Sequence, residues 1–456
     1  MMTANNRGLN LTIGNIWTNI WQTSWPMFII MVLNFFVGLA DVYVAGFISP
    51  EVQAAVGFAG QIYFLVIIVA NAISIGTLAI LARSFGSGDD GRAIGIARQS
   101  MLFSVLVAAG LTVPAMFFRS GIIAIAGFPP SVREIAEQFL KIFSLSLGPN
   151  YLLIISNAVF RSGGEMKKPL FTMLVVSTVN IAGDFALVFG IYPFPNLGYT
   201  GIAISTATSV TIGMIINLGF FTSGRWKPFY SGPWRVSTET IRSVVRLSWP
   251  AALLQVAWNA GTLILYNILG HMGAASVAAM AAITNGLRIE AIIYLPAFAL
   301  NMAAAVLVGQ NLGAGETERA EKTGWKIVQA GLIVVTIISA VIFVLADSLA
   351  SLLTNDPAVL RETARYLRFN MLSEPFMALS SILGGGMQGA GDTRGTMWVI
   401  IVAMWLVRLP LAYTLAMGLG YGTTGVWTAM ITSMAFQGIL MAVRFHRGAW
   451  KKLKVA

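Results

Sequence analysis

Along the chain, long apolar runs alternate with short polar breaks, and the runs carry no amphipathic stripe. Clear cases are IYFLVIIVANAISIGTLAIL at 62–81, MLFSVLVAAGLTVPAMFF at 101–118 and IVQAGLIVVTIISAVIFVLA at 327–346. A helix of about 20 such residues crosses the roughly 30 Å hydrocarbon layer. The strict alternation of a membrane β-barrel strand is missing. The pattern predicts twelve spans, near 17–46, 53–82, 97–118, 135–160, 169–190, 198–222, 243–270, 275–308, 326–346, 362–387, 396–418 and 422–443. The expected fold class is therefore an all-α membrane protein with twelve transmembrane helices.

The two halves echo each other. SWP at 24–26 recurs at 248–250, and Gly46 answers Gly270, both at an offset of 224. Gly86, Gly88, Arg92 and Ala93 answer Gly313, Gly315, Arg319 and Ala320 at 227. Pro149 answers Pro375, GGEMK at 163–167 answers AGDTR at 390–394, and Gly201 answers Gly425. Each repeat holds six spans, an even number, so both enter the membrane from the same side. Parallel repeats of this kind are related by a pseudo-two-fold axis along the membrane normal, and they suit alternating access by rocking. The expected domains are an N-terminal six-helix lobe (1–224), an inter-lobe linker (225–242), a C-terminal six-helix lobe (243–445) and a basic tail (446–456).

Composition narrows the chemistry. Of the residues, 57% are hydrophobic and only 10% charged. There is no cysteine and there are two histidines, His271 and His446, so a cysteine or histidine metal centre is not expected. The formal net charge is +11. Of 29 Lys and Arg, 21 lie at the N-terminus, in the C-terminal tail or in the even-to-odd connections. Six lie toward the opposite side: Arg119, Arg133, Lys141, Arg361, Arg365 and Arg368. The positive-inside rule then puts both termini in the cytoplasm of a multi-pass inner-membrane protein. The basic tail reads as a lipid-headgroup anchor rather than a nucleic-acid site. The polar first sixteen residues show no signal-peptide pattern.

Ionisable side chains deep in the spans need a reason, since one at the bilayer centre is disfavoured by about 2.5–3.5 kcal/mol even on insertion scales. In the N-terminal half these are Asp41 and Asp184, with no deep Lys or Arg to pair with them. Such acids must either keep a proton or hold a cation. Asn180 lies one turn before Asp184 on the same helix face, and Asn34 two turns before Asp41. Thr206 and Asn157 add oxygen ligands if their helices approach. Carboxylate, amide and hydroxyl oxygens suit H⁺ or a hard cation such as Na⁺. Pro26 sits inside span one, removes a backbone hydrogen bond there and is a candidate hinge.

The loops carry a family resemblance. RSFGSGDDGRA (83–93) and GQNLGAGETERA (309–320) resemble the second-to-third and eighth-to-ninth span loops of the multidrug and toxic compound extrusion (MATE) family. LADVYVAGFISPEVQAAVG (39–57), RSGGEMKKP (161–169), QGAGDTR (388–394), GYTGIAISTATS (198–209) and GYGTTGVWTAM (420–430) are similar to its other motifs, in order, over nearly the whole chain. The resemblance implies a monomeric secondary exporter that antiports H⁺ or Na⁺ against small organic substrates. It implies a cation-coupled site at Asp41, Asn180, Asp184 and Thr206, with no other cofactor. It is closer to the family's DinF-type branch in this half. Many NorM-type relatives carry an acid in span seven, and here the corresponding stretch holds Trp258.

The C-terminal half offers a different polar set: Glu290, Glu374 and Arg408. Arg288 and Arg408 are the candidate partners. Arg288 and Glu290, two apart, do not face each other on one helix, which leaves a cross-helix pair of either acid with Arg408 as one open reading. Trp258, Tyr266, Tyr294 and Trp405 are candidate walls of a substrate cavity, because aromatic faces attract lipophilic cations. A flippase for lipids or lipid-linked saccharides stays open as an alternative and would need a basic cavity. A channel is a third reading. No nucleotide-binding loop of the G-x-x-x-x-G-K-[ST] type is present, and no catalytic set stands out, so an enzyme is not expected.

Overall fold

A computed structural model describes residues 9–125 and 128–453; the first eight residues and the last three of the expected basic tail lie outside the described residues. Eleven of the described helices are long and apolar enough to span a membrane. Six precede the long polar loop: α1 (Ile16–Ile48), α2 (Pro50–Gly86), α3 (Asp90–Ile125), α4 (Pro130–Ser162), α5 (Lys167–Phe189) and α6 (Thr200–Phe220). After it come α7 (Thr238–Gly270), α8 (Ser276–Gly313), α9 (Thr317–Val344) and a short α10 (Ala346–Ser351).

Expected span ten is broken into α11 (Pro357–Met371) and α12 (Glu374–Gly389). The break at Leu372–Ser373 precedes Glu374-Pro375. Pro375 has no N–H to continue the ladder and sits in the first turn of α12, where that N–H would be unpaired anyway. Span eleven is one apolar stretch whose turns change width. It runs as α13 (Thr393–Ile401), a π-helical segment Val402–Arg408, α14 (Leu409–Tyr413) and a second π segment Thr414–Gly418. Pro410 lies between the two widened segments. Its ring clashes with the carbonyl four residues back, and π turns are a known relief. The last span is α15 (Gly422–Arg447).

The starts and stops have local causes. Ser49 caps α2 by accepting from the Val52 N–H, with Pro50 in its first turn. Asp356 caps α11 through the Ala358 and Val359 N–H groups. Gly190 ends α5 and Gly448 ends α15, both in the left-handed conformation.

The chain forms two compact units. Unit 1 takes the described residues 9–11 and Ile29–Ser248; unit 2 takes Thr12–Phe28 and 249–453. The first part of α1 thus groups with unit 2, and the first part of α7 with unit 1. Pro26 and Pro250 each lie within a few residues of the place where their helix passes from one unit to the other. In unit 1, an apolar cluster gathers Val44 and Ala45 of α1, Val52 and Ala55 of α2, Phe139 of α4, Val188 of α5 and Ile202 of α6. In unit 2, α8 and α12 come into backbone contact. A Cβ on Gly389 would stand 1.9 Å from the Ala305 carbonyl oxygen, and one on Gly385 2.3 Å from that of Asn301. Small residues permit such close helix approach in a membrane bundle.

Candidate functional site

The site in unit 1 is built by α1, α5 and α6. Close approach of α5 and α6 comes from small residues: a Cβ on Gly183 would lie 2.5 Å from the Ser205 hydroxyl, and one on Gly201 2.9 Å from the Leu187 backbone. This proximity sets Thr206 beside Asn180. The Asn180 side-chain amide donates to Thr206 Oγ1 at 3.1 Å. Ser205 Oγ donates to the Asn180 carbonyl at 2.7 Å, and Thr206 Oγ1 donates to the Ile202 carbonyl at 3.1 Å.

Asp184 is fully buried. Its carboxyl group faces that of Asp41 within hydrogen-bonding reach, and among the described residues no basic side chain stands beside either. Both Asp184 oxygens, one Asp41 oxygen and the Asn180 amide oxygen are buried without a donor. Four acceptors turned inward without a donor are costly in an apolar interior. Two facing carboxylates cannot both stay ionised with nothing positive between them. A proton or a small cation resolves both conflicts.

The apolar cluster seals one side of this pair. Val44 and Ala45 lie one turn beyond Asp41, Val188 one turn beyond Asp184, and Ile202 one turn before Thr206; all four are buried. Three helices therefore close over the carboxyls at the end where α1 turns into α2 and α5 into α6.

Two expected ligands lie elsewhere. Asn157 accepts from the Asn217 side-chain amide at 2.9 Å, and Asn217 also donates to Ser156 at 2.7 Å and accepts from Thr172 at 2.7 Å. Asn217 is eleven residues past Thr206 on α6, about 16 Å along the axis, so Asn157 belongs to a separate polar knot. Asn34 is exposed and donates to the Ile30 carbonyl of its own helix. The sequence reading passed over Ser205, which adjoins Thr206 and comes within reach of Asp184.

Unit 2 gathers Glu290, Glu374 and Arg408, all buried, without a direct ion pair among them. Arg408 Nε donates to Ser433 Oγ at 2.8 Å and its guanidinium lies 5.2 Å from the Trp258 ring centre. Glu290 instead accepts from Tyr294 at 2.9 Å and from Asn370 at 2.5 Å. Asn370 also donates to Glu374 at 3.3 Å, while the other Glu374 oxygen is buried without a partner. Tyr366, Asn370 and Glu374 recur every four residues, a periodicity that could have marked Tyr366 and Asn370 beforehand. Arg288 is exposed.

The four aromatic candidates all have partners within unit 2. Trp258 stacks on Arg408 and Tyr294 binds Glu290. Tyr266 and Thr284 share a hydrogen bond of 3.2 Å, and Trp405 donates to the Ala257 carbonyl at 3.2 Å.

Comparison with known proteins places this geometry. The chain is 26% identical over 432 residues to the "Probable multidrug resistance protein NorM" of Thermotoga maritima, covering 93% of this chain and 91% of the relative. It is 25% identical over 433 residues to the "Uncharacterized transporter YisQ" of Bacillus subtilis, covering 95% and 94%. Among solved structures, MATE in the bent conformation superposes with a TM-score of 0.89 at 19% identity, covering 99% of each chain. An outward-facing multidrug resistance MATE transporter gives the same TM-score over 98% and 99%. These structures share the fold. The MatE family matches residues 26–186 and 250–414, one segment in each half of the repeat. The chain belongs to the MatE family and is a multi-pass membrane transporter of that family.

Proposed function

We propose that the chain is a secondary active multidrug exporter of the inner membrane that exchanges H⁺ or Na⁺ for small organic substrates through the Asp41–Asp184 pair. The observation that carries this reading is the pair itself: the buried Asp184 carboxyl faces the half-buried Asp41 beside an unfilled Asn180 oxygen, with no basic neighbour among the described residues. The relatives named as multidrug resistance proteins support the substrate class.

In this reading the site takes one proton or cation and gives it up as the units move. Ion and substrate exclude each other, which is sufficient for antiport. Each charge entering down the membrane potential supplies about 2.3 kcal/mol per 100 mV. Arg408 is held by Ser433 and Trp258 inside unit 2, so it gives no support to a basic cavity of the flippase kind.

The test is dye efflux in inverted membrane vesicles energised separately by a pH gradient and by a Na⁺ gradient. The gradient that drives wild-type efflux names the ion. Asp41→Asn and Asp184→Asn are each expected to reduce efflux to the level of vesicles lacking the protein, with normal insertion. If both variants pump like wild type, the pair is not the coupling site.

A further inference from the structure

A cleft of about 760 Å³ opens at the end of unit 1 where α2 gives way to α3, between the first turns of α3 and the loop 224–232. It lies far from the carboxyl pair. Arg98, Arg225 and Lys227 line it against one carboxylate, Asp90. Glu165, outside the cleft, takes up part of Arg225 at 3.7 Å. Arg98 is buried and spends its donors on neutral groups, the carbonyls of Phe229 (2.9 Å), Pro228 (3.0 Å) and Pro233 (3.3 Å). Its charge is thus held in place without an acid to neutralise it. Lys227 is exposed.

Part of the wall formed by α3 carries no side chain. Gly91 and Gly95 line the cleft one turn apart, and a Cβ on Gly95 would meet nothing within 4 Å. The same helix face continues out of the cleft at seven- and four-residue steps, two turns and one turn, through Leu102, Leu106, Val113 and Phe117. Leu106, Val113 and Phe117 are exposed, on a helix apolar and long enough to cross a membrane. Tyr230 and Trp234, beside the cleft, are exposed too. Aromatic side chains of this kind sit at the headgroup level.

The geometry points to a binding site for an anionic phospholipid, with its phosphate among Arg98, Lys227 and Arg225 and an acyl chain along the exposed stripe of α3. A free phosphate would use the basic groups but leave the stripe unexplained. The continuity of the two favours the lipid.

Native mass spectrometry of the full chain in detergent, with added phosphatidylglycerol or phosphatidylcholine, tests the site. The wild type is expected to retain one phosphatidylglycerol more than Lys227→Glu and one more than Gly95→Leu. Phosphatidylcholine retention is expected to be the same in all three. Lys227 is exposed and Gly95 faces open space, so both variants keep the wild-type thermal midpoint. Unchanged phosphatidylglycerol retention in both variants overturns the proposal. So does displacement of the lost lipid by millimolar inorganic phosphate, which would show a free-phosphate site instead.

Discussion

Thr206 shows how much a single side chain decides. It receives the one hydrogen bond of the Asn180 amide nitrogen among the described residues, and so leaves the buried amide oxygen free to accept. Thr206→Val leaves that buried donor unsatisfied, at about 1–3 kcal/mol, and frees the amide to rotate. Thr206→Ser keeps the acceptor. Efflux and the thermal midpoint should fall together in the valine variant and stay near wild type in the serine variant; equal behaviour of the two would remove Thr206 from the site. Asp41, Asp184 and Asn180 were legible because a carboxylate in an apolar run is visible in the sequence, and helical spacing places Asn180 over Asp184. Asn157 was misplaced because sequence gives the face of a helix but not its depth against a neighbour. Asn217, on another helix, captures it three turns away. Arg408 comes together with Glu290 and Glu374, but opposite charges in one half do not fix which groups meet, and Ser433 and Trp258 hold the guanidinium.

At the scale of elements, spans were readable wherever the apolar run was unbroken, and misread where proline acts inside one. Averaging hydropathy across 362–387 hides the break before Pro375, and the same averaging hides the π turns around Pro410. α1 behaves differently. It runs unbroken from Ile16 to Ile48 through Pro26, although the Gln22 carbonyl has no N–H to receive there. Pro26 lies just before the point where α1 leaves unit 2 for unit 1. A helix interrupted at such a crossing is weakest where its two parts must move apart. Pro26→Ala restores the missing bond and should raise the thermal midpoint, since an interior proline weakens a helix by about 3 kcal/mol. Dye efflux should fall in the same variant. The two readouts moving in opposite directions mark a hinge; full transport in Pro26→Ala makes the proline architectural.

For the whole molecule, sidedness converts the local geometry into a direction. The seal of Val44, Ala45, Val188 and Ile202 lies at the α1–α2 and α5–α6 ends of unit 1. Under the proposed orientation, with 21 basic residues toward the cytoplasm and six toward the other side, that end would face outside. On that proposal these four side chains would cover the carboxyl pair from the exterior, and a bound ion would leave inward. The absence of cysteine makes the assignment simple to test, because any introduced thiol is unique. Asn196→Cys, in the α5–α6 loop, should react with a membrane-impermeant maleimide in intact cells. Glu316→Cys, in the α8–α9 loop, should react only after the membrane is opened; both positions are exposed. The reverse labelling would turn the seal toward the cytoplasm. The same carboxyl pair would then be closed on the side from which an exporter must collect its substrate, and the direction of exchange argued from it would have to be inverted.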